Sequence, residues 1–477
     1  MDNDIIKLLN FIDKDIEITK IENQKDTKLI YLQKFSKPLC KNCNSKMYSR
    51  GIRERKINHP ILQDGFKLYL IIKQRKWRCI NKDCNCYYND EFSFLEKYKQ
   101  STSLTPLLIL EAMKDLNATT KAIAKRFNVS DTYVHYIFAK YVDMKPLKLS
   151  TVISIDEVYM DFNKKNLYSL IILDFINNQI IDILPNRKEE ITYRYFSSIN
   201  IDERKNVRYL ICDMYNPYIN YINKYFPNAV CIIDSFHVIQ WITNSMRNYI
   251  NKLKKKYKEQ DQLKLNNKNY KTNKSKNTIT QCDELYLLNN FSFFALGNRN
   301  NIVYKEERKY NKKFKMYLNI NQLETMFFNI DPNLKEMTYL KQLYIDFNTN
   351  FIENDVMIES KFNYLINLYK TSKFEIFRDF SSLLTKYKKQ ILNSFKFVEC
   401  IDENGEVFMR RLSNGPIESW NNKPKDYKRI CNGVKNFEFT RNRLLWSTRK
   451  KPSILAIPKS DKDVHKIKYK KRKNYNK

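Results

Sequence analysis

Three carboxylates, Asp156, Asp213 and Glu418, have the type and the setting for divalent-metal chemistry. Asp156 ends the β-branched run Val152-Ile-Ser-Ile and is followed by Glu157; Asp213 ends Val207-Arg-Tyr-Leu-Ile-Cys. An acid at the C-terminal end of a strand lies on the rim of an open α/β sheet, where such sheets place their chemistry. Glu418 belongs to Ser413-Asn-Gly-Pro-Ile-Glu, in which Gly415 suits a helix N-cap, Pro416 the first helical position and Glu418 the first turn. The helix dipole there favours the ionised carboxylate, the form a hard cation binds. Lys423, Lys425, Lys428 and Arg429 follow on the same helix, as a phosphate-binding surface would. Either aspartate alone would pass as an ordinary turn residue, and Glu418 alone as one acid on a solvated helix. Together they are the set that two-metal phosphoryl transfer requires, with Mg²⁺ or Mn²⁺ ions roughly 3.5–4 Å apart.

The elements around these acids read as an α/β core. Leu167–Asp174 and Gln179–Leu184 are strand-like and separated by a hairpin-length Phe-Ile-Asn-Asn. Helical stretches follow around Ile191–Ile199 and Pro217–Phe226, and Ala229–Asp234 is a further strand. The expected order is strand, strand, strand, helix, strand, helix, strand. From about Trp241 to Phe408 the pattern turns helical, with apolar residues at helical spacing in Leu323–Phe328 and Met337–Phe347. This is expected to be an all-helical insertion that folds without separating Asp213 from Glu418. Within it Lys252–Lys276 holds ten lysines and two acids, a solvated helix end or loop.

Upstream, Cys40-x2-Cys43 and Cys79-x4-Cys84 are two ligand-spaced pairs separated by strand-like sequence, notably Phe66–Ile72. Tetrahedral Zn²⁺ takes two such pairs, one from each turn, which predicts a zinc-ribbon-like module; Cys86 could stand in for Cys84. A helical segment Leu104–Leu116 comes next. Ile123, Ala124 and Phe127, then Val134, Ile137, Phe138 and Tyr141, form two apolar helical faces around Asn128-Val-Ser, with Ser130 as N-cap. That is a helix-turn-helix pattern. It leaves Asp131, Thr132, Tyr133, Tyr136 and Lys140 to meet a major groove.

Composition agrees with a polyanionic partner. The chain carries 86 Lys+Arg against 52 Asp+Glu, a formal charge of +34. Neutralising phosphates releases counterions, so such binding falls steeply with salt. No apolar run approaches the roughly 18 residues of a membrane span, and the acidic N-terminus Met-Asp-Asn-Asp lacks a signal-peptide pattern. A cytosolic chain is expected, with its 10 cysteines reduced or metal-bound rather than paired. The last stretch, Arg449–Lys477, is basic and poorly patterned and reads as a disordered tail.

Ile155-Asp156-Glu157, Asp213-Met-Tyr-Asn-Pro-Tyr218, Pro227–Val238 with its Asp234-x-x-His237, and Ser413–Glu418 resemble, in order, the motifs of the ISL-three insertion-sequence transposases. The resemblance runs from the cysteine-rich N-terminus to about Trp446. It implies a DDE transposase with an RNase H-like core and Asp156, Asp213 and Glu418 as the metal-binding triad. Asp234 and His237 would be accessory residues, and Cys84 is favoured over Cys86 as the fourth thiolate. The implied partners are DNA, as terminal inverted repeats and target, and further copies of the chain as a dimer or larger assembly. The implied location is the bacterial cytosol, at the nucleoid. The expected division is 1–98 zinc module, 99–147 helix-turn-helix, 148–240 first part of the core, 241–410 insertion, 411–448 second part of the core, and 449–477 tail. Where family members usually carry an aliphatic residue this chain has Pro424, so the Glu418 helix is expected to bend or end near Lys423. A DNA-binding regulator that uses the core only as a scaffold is the competing expectation.

Overall fold

The structure, a computed structural model, describes residues 11–60, 67–267, 282–349, 355–402 and 404–464. It divides into two compact units: Met1–Leu147 with Val158–Ser169 and Asn421–Lys477, and Lys148–Glu157 with Leu170–Trp420.

The first unit is built on a sheet of β1 (Ile16–Gln24), β2 (Thr27–Lys34), β3 (Met47–His59), β4 (Lys67–Cys79) and β5 (Tyr87–Asn89). Its order is β1-β2-β4-β3, with β5 also on β4. Leu32, Ile57, Leu70, Ile72, Phe92 and Phe94 form its core. In the antiparallel β3–β4 pair Met47 stands opposite Cys79, so the turn that leads into β3 lies beside the end of β4. Asp90 ties the sheet to its last strand, accepting from Trp77 Nε1 at 2.7 Å and Arg75 Nε at 3.1 Å.

Helices Leu104–Ala112, Thr120–Arg126 and Asp131–Tyr141 follow. Thr119 and Ser130 cap the second and third, each accepting a backbone N–H three residues on at 3.1 Å. The turn between them places Asn128 at φ 51°, a left-handed conformation that asparagine tolerates. The apolar residues expected to face inward, Ile123, Ala124, Phe127, Val134, Ile137 and Phe138, are buried. Helix Phe437–Thr448 closes over this group: Trp446 Nε1 donates to Leu110 O at 3.0 Å, and the buried Arg443 donates to Asp115 O and Ala118 O. The segment after it is not the free tail expected from its composition. Leu455 N donates to Tyr141 O and Lys459 N to Lys140 O, both at 2.9 Å; residues 465–477 lie outside the described residues.

The second unit carries the sheet β10-β9-β6-β7-β8, from β6 (Val152–Asn163), β7 (Asn166–Asp174), β8 (Gln179–Leu184), β9 (Tyr209–Cys212) and β10 (Val230–Ile233). β6, β9 and β10 run parallel, and β8 is antiparallel to β7. The first strand does not end at Asp156 as its sequence suggests. It pairs with β9 only over Val152–Ser154, while strand geometry continues to Asn163.

Between β10 and the Glu418 helix the chain is mainly helical, beginning with the long helix Ser235–Asn267. The lysine-rich run is helical to Asn267, and its remainder lies outside the described residues. The insertion is not all-helical. It contains the hairpins Lys309–Asn311 with Met316–Leu318, and Phe397–Ile401 with Val407–Arg411. The second hairpin is held by the core: Cys400 and Leu412 pack with Val152, Phe175, Ile211 and Ile232, and Ile401 N donates to Ile176 O at 3.1 Å. Alternating burial along a short strand is easily mistaken for the end of a helix when the flanking pattern has period 3.6.

Candidate active site and cysteine cluster

Strand register sets the site. Ser154 of β6 stands opposite Ile211 of β9, and Cys212 of β9 opposite Ile233 of β10. Continued along the three parallel strands, this register puts Asp156, Asp213 and Asp234 in one row across the rim, with neighbouring strands about 4.8 Å apart. Side chains at equal register on parallel strands leave the same face, so the row brings three carboxyl groups together. Asp234 is buried, while Asp156 and Asp213 are partly exposed.

Helix Gly415–Ile430 brings Glu418 to this rim. Glu418 N donates to Asn414 O at 2.9 Å, so Asn414 is the N-cap and the helix begins one residue earlier than its Gly-Pro pair suggests. The helix runs through Pro424 without ending at Lys423. Lys423, Lys425 and Arg429 are exposed on its surface, Arg429 pairing with Asp426 at 2.9 Å, and the Lys428 ammonium sits 4.2 Å from the Tyr159 ring centre.

Asp234 caps the Ser235–Asn267 helix, its Oδ2 accepting from Phe236 N at 3.0 Å, and its Oδ1 accepts from Asn414 N at 3.0 Å. His237, in the first turn of that helix, brings Nε2 to 2.6 Å from Asp213 Oδ1. Asn414 Nδ2 donates to the same Asp213 oxygen at 3.1 Å. Glu418, Asp234 and His237 place ligand atoms within 4.8 Å of one another, a cation-sized grouping. Among the described residues the rim grouping of that size contains Glu418 with Asp234 and His237 rather than with Asp156 and Asp213. Asp213 joins it through His237, and Asp156 through its place in the row and its field on the imidazole.

Burial drives the Asp234 carboxyl above the usual carboxylate range, against the opposing pull of the Asn414 N–H and His237. Burial also works against a charged His237. The adjoining Asp213, then Asp234 and Asp156, more than offset it and hold the imidazole above its ordinary value. Glu157, next to Asp156, faces a different partner set: Arg187 donates to it at 2.6 Å and the Tyr218 hydroxyl also donates to it.

In the first unit, Cys40, Cys43, Cys79 and Cys84 form a second grouping within 4.8 Å. Cys40 Sγ lies 3.6 Å from Cys84 Sγ, and Cys43 Sγ 3.4 Å from Cys79 Sγ. Each turn ends on a left-handed asparagine, Asn44 at φ 58° and Asn85 at φ 42°, a conformation asparagine adopts more readily than most residues. Backbone N–H groups of Cys43 and Asn42 lower the Cys40 thiol, favouring the thiolate that metals bind. Cys86 packs beside the cluster and is not one of its four members.

The groove-facing residues expected on helix Asp131–Tyr141 are less free than their spacing suggests. Asp131 and Thr132 are exposed, Thr132 lying 3.0 Å from its own N-cap hydroxyl, Ser130 Oγ. The Tyr133 hydroxyl lies 3.2 Å from Ser101 Oγ. Tyr136 donates to Asp461 at 2.6 Å, and Lys140 donates to the Tyr136 hydroxyl at 3.0 Å and to Asp461 at 3.1 Å. Sequence reasoning missed Asp461 and also the role of Asn414. The first sits in a basic stretch with no pattern, and the second was visible only as a residue inside a motif.

A family model described as Transposase matches residues 153–444, from β6 to helix Phe437–Thr448. The chain belongs to the ISL-three transposase family. No curated protein matches it. No helix among the described residues is long and apolar enough to cross a membrane.

Proposed function

We propose that the chain is a DNA transposase of the DDE type, in which Asp156, Asp213 and Glu418 hold Mg²⁺ or Mn²⁺ at the rim of an RNase H-like sheet. The observation that carries this reading is the row of Asp156, Asp213 and Asp234 on three adjacent parallel strands, with the head of the Glu418 helix bonded to two of them. The sheet order, a hairpin edge followed by two parallel strands, supports the core assignment. The donor set fits the cation: carboxylate oxygens are what Mg²⁺ takes in place of water. When bound, the ions would activate the attacking oxygen and stabilise the leaving one. The chain's own residues hold the carboxylates in place. His237 and Asn414 orient Asp213, and Asp234 anchors the Glu418 helix through Asn414. No side chain is needed as a covalent nucleophile, because water and then a DNA 3′-hydroxyl can attack in turn.

The four thiols would hold Zn²⁺. A tetrahedral site with Zn–S near 2.3 Å has sulfurs about 3.8 Å apart, close to the spacings found here. The zinc module and the Thr120–Arg126 and Asp131–Tyr141 helices would recognise the element's terminal inverted repeats. Thr132, Tyr133, Tyr136 and Lys140 would act there, and Lys423, Lys425, Lys428 and Arg429 would contact phosphates near the cut. Paired ends call for a dimer or larger assembly, acting on DNA in the cytosol.

The test is strand cleavage of a plasmid carrying the reading frame with its natural flanking DNA, in Mg²⁺. Asp213→Ala is expected to lower cleavage at least 100-fold with DNA binding retained. Equal inactivity of wild type and variant, with both binding the flanks, would establish a regulator instead.

A further inference from the structure

We propose that Asn414 is a positioning residue of the metal site: its side chain sets the orientation of Asp213 while its backbone N–H fixes Asp234. This rests on the DDE reading above and assigns the part that brings the third acid to the first two. Asn414 is separated from Asp213 by 201 residues and from Asp234 by 180, yet bonds to both. Bonds to the ends of two different strands fix both the position and the rotation of the helix head that carries Glu418.

Its conformation shows which task the side chain serves. An N-cap asparagine ordinarily turns its carbonyl oxygen to the free N–H groups of the first helical turn. Asn414 is fully buried and caps with its backbone carbonyl, but its side chain turns away from the helix and donates to Asp213. Its Oδ1 has no hydrogen-bond partner among the described residues. A buried polar atom left so is destabilising, because it has given up its bond to water without a replacement. The amide therefore serves the carboxylate at the expense of the helix. The orientation is chemically fixed, because only the NH₂ end can face a carboxylate. Serine would cap the helix as well but is too short to reach Asp213, and aspartate would set one carboxylate against another.

That difference gives the experiment. Asn414→Ser and Asp213→Ala are compared with wild type in the full chain by Mn²⁺ titration followed by electron paramagnetic resonance. Plasmid cleavage over a range of Mg²⁺ and thermal unfolding complete the comparison. Asn414→Ser is expected to unfold near the wild-type temperature. Its Mn²⁺ affinity should fall, and its half-saturating Mg²⁺ rise, about tenfold or more, with cleavage recovering at high Mg²⁺. Wild-type metal dependence in Asn414→Ser, with Asp213→Ala inactive, would reduce Asn414 to a helix cap and overturn the inference. Cleavage persisting in Asp213→Ala would instead sink the DDE reading itself. Should the serine variant fail to fold, Asn414→Thr, which also caps and fills more of the buried space, serves the same comparison.

Discussion

His59 shows how a single buried residue can set a pH limit. Its Nδ1 lies 3.1 Å from Thr102 Oγ1 against the Phe11 ring, and burial pulls its pKa down to about 4. Above about pH 6.5 the ring is neutral in the folded and the unfolded chain, and it contributes no pH dependence. As pH falls from there towards 4, only the unfolded chain takes up the proton, so stability is lost across that window. The loss amounts to about 3 kcal/mol in full. The urea midpoint of wild type should therefore drop between pH 7 and pH 4.5 by more than that of His59→Gln. Equal drops would assign the acid sensitivity to other groups, the cysteine cluster first among them. The residues proposed to hold the metal stood out in the sequence at this scale. Asp213 and Glu418 stood out by strand-end and helix-start positions, and Asp156 by an expected strand end that the strand in fact runs past. Asn414 did not, because hydrogen bonds across 180 and 201 residues leave no local pattern.

At the scale of elements, the β-branched runs and caps were reliable guides. β8 and the capped helices Thr120–Arg126 and Asp131–Tyr141 lie where periodicity and N-cap residues put them. Short-range signals failed where a distant partner decided the outcome. β6 outruns its acidic end because it stays extended after β9 has stopped. Phe397–Ile401 is a strand because the core offers it an apolar face. The C-terminal segment offers a measurable case. Asp461 engages Tyr136 and Lys140, two of the residues assigned to the groove, and these bonds lower its own carboxyl. Asp461→Asn should raise affinity for duplex DNA roughly threefold to tenfold at low salt, by unmasking Lys140 and removing a charge that repels phosphate. Glu406→Gln, an exposed neutralisation elsewhere, should change it less; matching gains in the two variants would show that only net charge matters.

Across the whole molecule, charge dominates. With a formal charge of +34, most of the affinity for DNA should come from phosphate contacts, and it should fall linearly on a log–log plot against salt. Six to ten such contacts predict a loss on the order of 10³-fold or more between 50 and 200 mM salt. A flat profile by fluorescence anisotropy would deny the basic surfaces a role in binding. The division into units was the least legible feature. Residues 158–169 and 421–477 join the N-terminal unit although the sequence places them in and after the core, and only contacts between remote segments decide such membership.

Asp234 starts a 33-residue helix and also holds the N-cap of the helix that carries Glu418. One carboxyl group thus serves as both a foundation stone and a hinge pin. Truncating it to alanine would loosen scaffold and rim together, so an inactive Asp234→Ala would say little about metal. Asparagine keeps an oxygen for the first turn but sets an NH₂ group against the Asn414 N–H, so Asp234→Asn spares the start of the long helix while releasing the rim, and that separates the two duties.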